Sequence, residues 1–321
     1  MIECTLTQYP IFIIDGGRRH AGASGVSESG PMDRSAFRLA NQLLHQDVYT
    51  SALEVMGECH FVAHISMTIA VSGGNAAITV TTMTNNTLNT NSYKPNQVIN
   101  LIVGDRFSIG RLQQGMRLVI GIAGGIDVPI FFDSRCGIMR EKFGGLGQGK
   151  PILSGDSFAI GFYQPVGNEG DMPSHYSNQS SEYQPIICPS TRIADVTEID
   201  FVPNYQHAQF SLYARYLFTS QLMQVSQQSN RMGMRIHSSL AIPSIVKHES
   251  QALALGVVQI PPNGQPIVMG PDRQTHGGYP VIGTVPEYAL NKLVQLTPNE
   301  SFIFVPVNIE MAIAKYWMNL H

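Results

Sequence analysis

Apolar positions along this chain fall into short runs, and the residues between the runs decide what each becomes. Ile11 to Ile14 read as a buried strand leading into Asp15-Gly16-Gly17-Arg18. A Gly- and Ser-rich loop, Ala21 to Asp33, follows and ends on a residue suited to cap a helix. Beyond it Ala36, Leu39, Ala40, Leu43 and Leu44 recur at helical spacing, which predicts an amphipathic helix from Arg34 to Leu44. A loop ending at a helix N-terminus offers free N–H groups to a carboxylate or phosphate, although an ordinary strand–loop–helix connection has the same pattern. From Ala52 to Ile160 the texture is β. Ile69-Ala70-Val71, Ile78-Thr79-Val80, Val98 to Val103 and Leu118 to Ile122 are separated by Gly, Asn and Asp, which predicts a sandwich or barrel of short strands.

A small echo runs through the chain. VGDRFSIG (Val103 to Gly110) is matched by SGDSFAIG (Ser154 to Gly161) and more loosely by TPNESFIFV (Thr297 to Val305). Each reads as a turn followed by an alternating strand. Residues 164–190 are rich in Pro, Ser and Asn with little periodicity, and predict a linker between an N-terminal β-rich domain, 1–163, and a C-terminal barrel domain, 191–321. Beyond the linker, Ala208 to Phe218 predicts a short helix, and Val225 to Ile236 two strands around a polar turn. Pro286 suits the first turn of a helix over Glu287 to Leu296. Asn308 is placed to cap a last helix through Ile309, Ala312, Ile313 and Trp317. Helices are few and peripheral, so the predicted class is mainly β.

The stretch richest in site-forming residues is Gly256 to Pro280, GVVQIPPNGQPIVMGPDRQTHGGYP. Pro261-Pro262, Asn263-Gly264, Gly270-Pro271 and Gly277-Gly278 break it into short pieces. Val257-Val258 and Ile267-Val268 then serve as strands, and Gln259, Asn263, Gln265, Asp272, Arg273, Gln274, Thr275, His276 and Tyr279 fall at or beside the turns. Binding and catalytic groups concentrate on such loops, while Asn-Gly is foremost a hairpin signal. Gly144 to Lys150 matches the first part of a phosphate-binding loop. Pro151 replaces the required Ser or Thr, and strand and turn residues follow where a helix is needed, so this is not a Walker motif, which leaves a flexible glycine loop bearing one lysine near a site as the alternative.

Composition narrows the classes. The 321 residues are 43% hydrophobic, which is ample for a real core, yet 13% charged, about half the usual share of roughly 25%. A formal charge of −3 gives no electrostatic footprint for nucleic acid or an anionic membrane. No run approaches the roughly 20 apolar residues of a membrane helix. The N-terminus lacks the basic and apolar regions of a signal peptide. Cys4, Cys59, Cys136 and Cys188 lie far apart, with no Cys/His cluster, so free thiols and no metal site are expected. The expectation is a soluble, cytoplasmic protein.

Four segments carry a resemblance. They are Asp15-Gly16-Gly17-Arg18 with GVSESGPMD and Ala40-Asn41, then Ala123-Gly124-Gly125-Ile126-Asp127-Val128, then Ser229-Asn230-Arg231-Met232-Gly233, and finally Gly256 to Pro280. In this order they resemble the allophanate-hydrolase-subunit-2 family, whose bacterial stand-alone members are the C subunit of the ATP-dependent 5-oxoprolinase. His276 stands where family members often carry Thr. The resemblance implies two β-rich halves related to cyclophilin-like barrels. It also implies a cytoplasmic complex with 5-oxoprolinase subunits A and B that opens 5-oxoproline to L-glutamate using ATP, with no nucleotide site complete in this chain. Related domains form the carboxyltransferase part of biotin-dependent urea carboxylase. No Ala-Met-Lys-Met biotin site is present, so that alternative needs a separate biotinyl protein. A non-enzymatic regulator of a subunit-B-like partner is the third reading.

Opening a lactam needs donors for developing oxyanion charge, a base for water and a group for the substrate carboxylate. Asp272 is the expected base and His276 the second choice. Arg231, with its planar fork, is expected to bind the carboxylate. Asn230, Gln265 and Gln274 are expected to orient the amide, with Ser29, Thr275 and Tyr279 lining the site. Each also has a plainer role: Asp272 follows Pro271 in a turn, His276 reads as an exposed loop residue, and Ser29 as a loop hydroxyl.

Overall fold

A computed structural model of the protein describes residues 1–85, 87–163, 196–245 and 249–319. The predicted linker, 164–190, lies outside them, as does Cys188. The chain divides into two compact units. One comprises Met1–His20 with Ser29–Tyr183, the other Ala21–Glu28 with Gln184–His321. Most of the Gly- and Ser-rich loop is therefore part of the second unit.

The first unit is built on a ten-stranded sheet. Its edge path runs through β2 (Phe12–Ile14), β3 (Ala52–Val55), β8 (Arg106–Ile122), β4 (Cys59–Ala63), β1 (Ile2–Thr7), β10 (Ser157–Ile160) and β9 (Ile126–Asp127). The long β5 (Met67–Thr84) pairs with β8 and also with β6 (Thr87–Tyr93) and β7 (Gln97–Leu101). β5 and β8 are 18 and 17 residues long, not the short strands predicted. The reason is local. Gly73 and Gly74 do not end β5 but shift its register against β8. At Gly73, φ is +104° and a Cβ would lie 2.8 Å from the Arg117 carbonyl, so glycine lets one strand bend where a side chain would have stopped it.

Helix α1 (Arg34–Leu43) forms as the spacing predicts, with the Asp33 carboxylate accepting from the Ala36 N–H at 2.9 Å. Ala36, Phe37 and Ala40 are buried with Val119 and Ala52, and Gly121 gives Ala40 room to approach. The glycine loop that resembles a phosphate loop instead wraps a side chain. The fully buried Arg18 donates to the Cys136 carbonyl and lies under the Phe143 ring, and Gly144 has no room for a Cβ beside that carbonyl.

The second unit contains a closed barrel, in the order β11 (Thr197–Pro203), β18 (Val281–Thr284), β15 (Val257–Gln259), β16 (Ile267–Met269), β13 (Gly233–Ser238), β12 (Met223–Val225) and β19 (Ser301–Pro306). A separate ladder joins β14 (Gln251–Ala252) to β17 (His276–Gly277). Phe201, Phe218, Phe302 and Phe304 are buried in mutual ring contact, with Phe218 of α2 (Leu212–Ser220) stacked on Phe304 at 4.5 Å. Ser211 caps α2, so this helix begins later than predicted. Pro286 stands just before α3 (Glu287–Leu293), and Asn308 caps α4 (Ile309–Met318). On α4, Ala312 is buried while Ile313 and Trp317 are exposed. The two units are thus mainly β, as expected.

The sequence echo has a structural cause. Asp105 accepts from the Ile102 N–H, Asp156 from the Leu153 N–H and Glu300 from the Thr297 N–H, at 2.7–2.9 Å. One acidic residue closes the same turn ahead of β8, β10 and β19.

Candidate functional site

The candidate site grows from the turns between β15 and β18, all within the second unit. After β16 the chain turns at Gly270-Pro271. The Gly270 N–H donates to the Met232 carbonyl and the Asp272 N–H to the Arg231 carbonyl, each at 2.9 Å. A Cβ at Gly270 would stand 2.3 Å from the Arg231 carbonyl oxygen. Glycine is therefore required for these two turns to lie side by side.

That closeness brings Arg231 and Asp272 into a fork. Arg231 Nε donates to one Asp272 oxygen at 2.9 Å and Nη2 to the other at 3.2 Å. Their side chains are 8% and 11% exposed, so the pair is largely shielded from water. Two parallel charge-assisted bonds are the strong geometry for this pairing. The expected base and the expected carboxylate binder thus hold each other.

The next residue faces elsewhere. Arg273 Nε donates to the Leu253 carbonyl at 2.8 Å and Nη2 to Glu28 at 2.6 Å, while its own carbonyl accepts from Ser27 Oγ at 2.9 Å. Arg273 and Ser27 are buried, yet the Glu28 side chain is 41% exposed. Arg273 Nη1 is buried and has no hydrogen-bond partner among the described residues. Ser27, Glu28, Leu253, Arg273, Thr275 and His276 border a cavity of about 260 Å³. The Thr275 hydroxyl lies 3.1 Å from His276 Nδ1, and the β14–β17 ladder pairs Ala252 with His276. The polar residues Glu28, Arg273, Thr275 and His276 thus share the border of this cavity with apolar ones, among them Ala23, Ala252 and Leu253.

Of the residues expected from sequence, Thr275 and His276 border this cavity. Asn230 Oδ1 accepts from the Met232 and Gly233 N–H groups, and so shapes its own turn. Gln265 accepts from the Ser238 N–H and donates to the Ser238 carbonyl, tying down its strand. Gln274 is exposed. The Tyr279 ring is exposed, and its carbonyl accepts from Gln259 at 3.4 Å. Ser29 is buried and belongs to the first unit. Arg273, Glu28 and Ser27 were missed. Asp272-Arg273 after a Gly-Pro turn was the available signal for Arg273; no local signal marks the other two.

The fold is that of a two-unit, mainly β protein whose second unit carries this cavity. Residues 24–306 match the family described as carboxyltransferase domain, subdomain A and B, and the chain belongs to that family. It is 30% identical over 301 residues to the C subunit of the Escherichia coli 5-oxoprolinase, covering 93% of this chain and 89% of that one. Against the urea amidolyase of Saccharomyces cerevisiae it is 29% identical, over 89% of this chain but 15% of the larger protein. Among solved structures, the Kluyveromyces lactis urea amidolyase superposes with a TM-score of 0.82 at 25% identity, covering 99% of this chain and 19% of that one. TTHA0988 superposes at 0.76 and 22% identity, over 95% of this chain and about half of that one (55%), and supports the fold. Among the described residues no helix is long and apolar enough to cross a membrane.

Proposed function

We propose that this chain is a subunit of an ATP-dependent 5-oxoprolinase, which opens 5-oxoproline to L-glutamate. The observation that carries the reading is the nearly end-to-end match to the C subunit of the E. coli 5-oxoprolinase. In this reading it works in the cytoplasm with subunits A and B, and the complex uses ATP. A lactam is a poor electrophile, and phosphoryl transfer to its amide oxygen before attack by water is a route that would make it reactive. The Thr275 and His276 side chains would then face the substrate from the cavity rim, and His276 would serve in proton transfer. The Arg231–Asp272 pair would act by holding the turn that carries Arg273.

The test is glutamate formation from 5-oxoproline and ATP, with subunits A and B reconstituted with and without this chain. Formation that depends on this chain supports the proposal. Formation at the same rate in its absence defeats it.

A second reading is favoured by the family match and by the fit to the K. lactis urea amidolyase. It makes this chain a carboxyltransferase that works with a separate biotinyl protein. A streptavidin blot of co-purified partners exposes it. A purely regulatory role would show as a chain that assembles with its partner while cavity variants leave the activity of the complex unchanged.

A further inference from the structure

We propose that the cavity of the second unit binds the carboxylate of a small organic acid on Arg273, in the position now shared with Glu28. The proposal deepens the reading above and rests on it for the choice of 5-oxoproline as first ligand. Its physical basis is a half-filled fork. The bond from Arg273 Nε to the Leu253 carbonyl fixes the guanidinium plane, which leaves Nη1 and Nη2 as the free edge. Nη2 is taken by one oxygen of Glu28, and Nη1 by no described residue. A guanidinium edge is matched by both oxygens of a carboxylate, and a buried donor without a partner is costly. Burial deepens the contrast: the Arg273 side chain is 8% exposed, whereas Glu28 is 41% exposed.

Among the described residues of the second unit the other buried arginine is Arg231, and it is engaged differently, with Nε and Nη2 on the two oxygens of Asp272. Arg273 also borders the cavity, together with Thr275 and His276. An incoming carboxylate displaces Glu28 towards solvent, takes Nη1 and Nη2 together, and lets the rest of the molecule lie against Thr275 and His276. Glu28 is thus an internal competitor that occupies the anchor when the cavity is empty.

The experiment is calorimetric titration of the full chain with 5-oxoproline, with 2-pyrrolidinone (the same ring without the carboxylate), and with acetate, succinate and L-glutamate. The wild type is expected to prefer 5-oxoproline over 2-pyrrolidinone at least tenfold. Arg273→Gln is expected to erase that preference and Arg273→Lys to keep part of it. Glu28→Gln is expected to tighten carboxylate binding by about two- to fivefold, the scale of a partly exposed ion pair, and to leave 2-pyrrolidinone unchanged. Should Arg273→Gln fail to fold, the Glu28→Gln result still decides, because a purely structural pair predicts no tightening. Equal binding of lactam and acid by the wild type, no binding of any acid tried, or no tightening in Glu28→Gln overturns the inference. If another acid binds through Arg273 while the reconstituted complex forms no glutamate, the inference stands and the 5-oxoprolinase reading falls. Glutamate formation that depends on this chain, with no effect of either residue on acid-over-lactam preference, gives the reverse.

Discussion

Asp272→Ala is the most informative single change in the second unit, because it separates a positioning role for Asp272 from a chemical one. It leaves the Arg231 guanidinium, 8% exposed, without the carboxylate that takes its Nε and Nη2. Breaking a buried pair from one side costs about 3–5 kcal/mol. At about 2–4 °C per kcal/mol for a unit of this size, Tm should fall by about 6–20 °C. Replacing both partners by apolar residues of similar volume, Arg231→Met with Asp272→Leu, removes the buried charge as well and should recover most of that loss. Thermal unfolding followed by circular dichroism reads the stability of each variant. Glutamate formation by the reconstituted complex reads function on the same samples. A positioning role predicts that activity returns with stability in the double variant. A double variant that is as stable as wild type yet inactive would refute this reasoning and give Arg231 or Asp272 a direct part in the reaction.

Gly256 has φ +78°, and a Cβ there would lie 2.2 Å from the Val285 carbonyl oxygen. Gly256→Ala should therefore cost at least about 1–3 kcal/mol in urea unfolding, and an unchanged midpoint would show that the turn has other freedom. Asp33→Ala removes the cap on α1 and should cost about 1 kcal/mol, measured the same way. Burial and the nearby Asp156 charge push the Cys4 thiol from an ordinary 9.0 to about 11, and burial also pushes Cys59 up. At pH 8 both thiols stay protonated, so iodoacetamide with peptide mapping should label them only after unfolding. Because the folded pKa of Cys4 is the higher one, its contribution to stability is complete below pH 9 and is lost as pH rises from 9 to about 11. A folded-state label on Cys4 at pH 8 would contradict this.

What could be read from sequence follows from how local each cause is. The α1 cap, the Asn308 cap and the three acidic turns need partners three residues away, and all are visible in the chain. β5 was misread because Gly73 and Gly74 look like a stop and act as a bulge. Only pairing with β8 keeps the strand going past them, and that pairing is not local. The same limit applied to the site. Gly256 to Pro280 was legible as its source, since its turns and polar residues are contiguous. Which polar residue faces what was not legible, because Arg231 meets Asp272 across 41 residues and Glu28 meets Arg273 across 245.

The two neighbours Asp272 and Arg273 show what that missing information decides. In sequence they read as one acidic and one basic group on the same turn, ready to pair or to share a task. In the fold each is committed to a different segment: Asp272 to Arg231, ahead of β13, and Arg273 to Glu28 and Leu253. The first pairing occupies both oxygens of its carboxylate, whereas the second leaves Nη1 without a partner among the described residues. Adjacent residues of opposite charge are therefore not equivalent candidates. The group whose two oxygens are both engaged by one guanidinium is suited to hold the turn, and the one with a buried donor to spare is suited to hold a ligand. That asymmetry moves the expected carboxylate anchor from Arg231 to Arg273 and leaves the cavity beside Thr275 and His276 as the place where its ligand would lie.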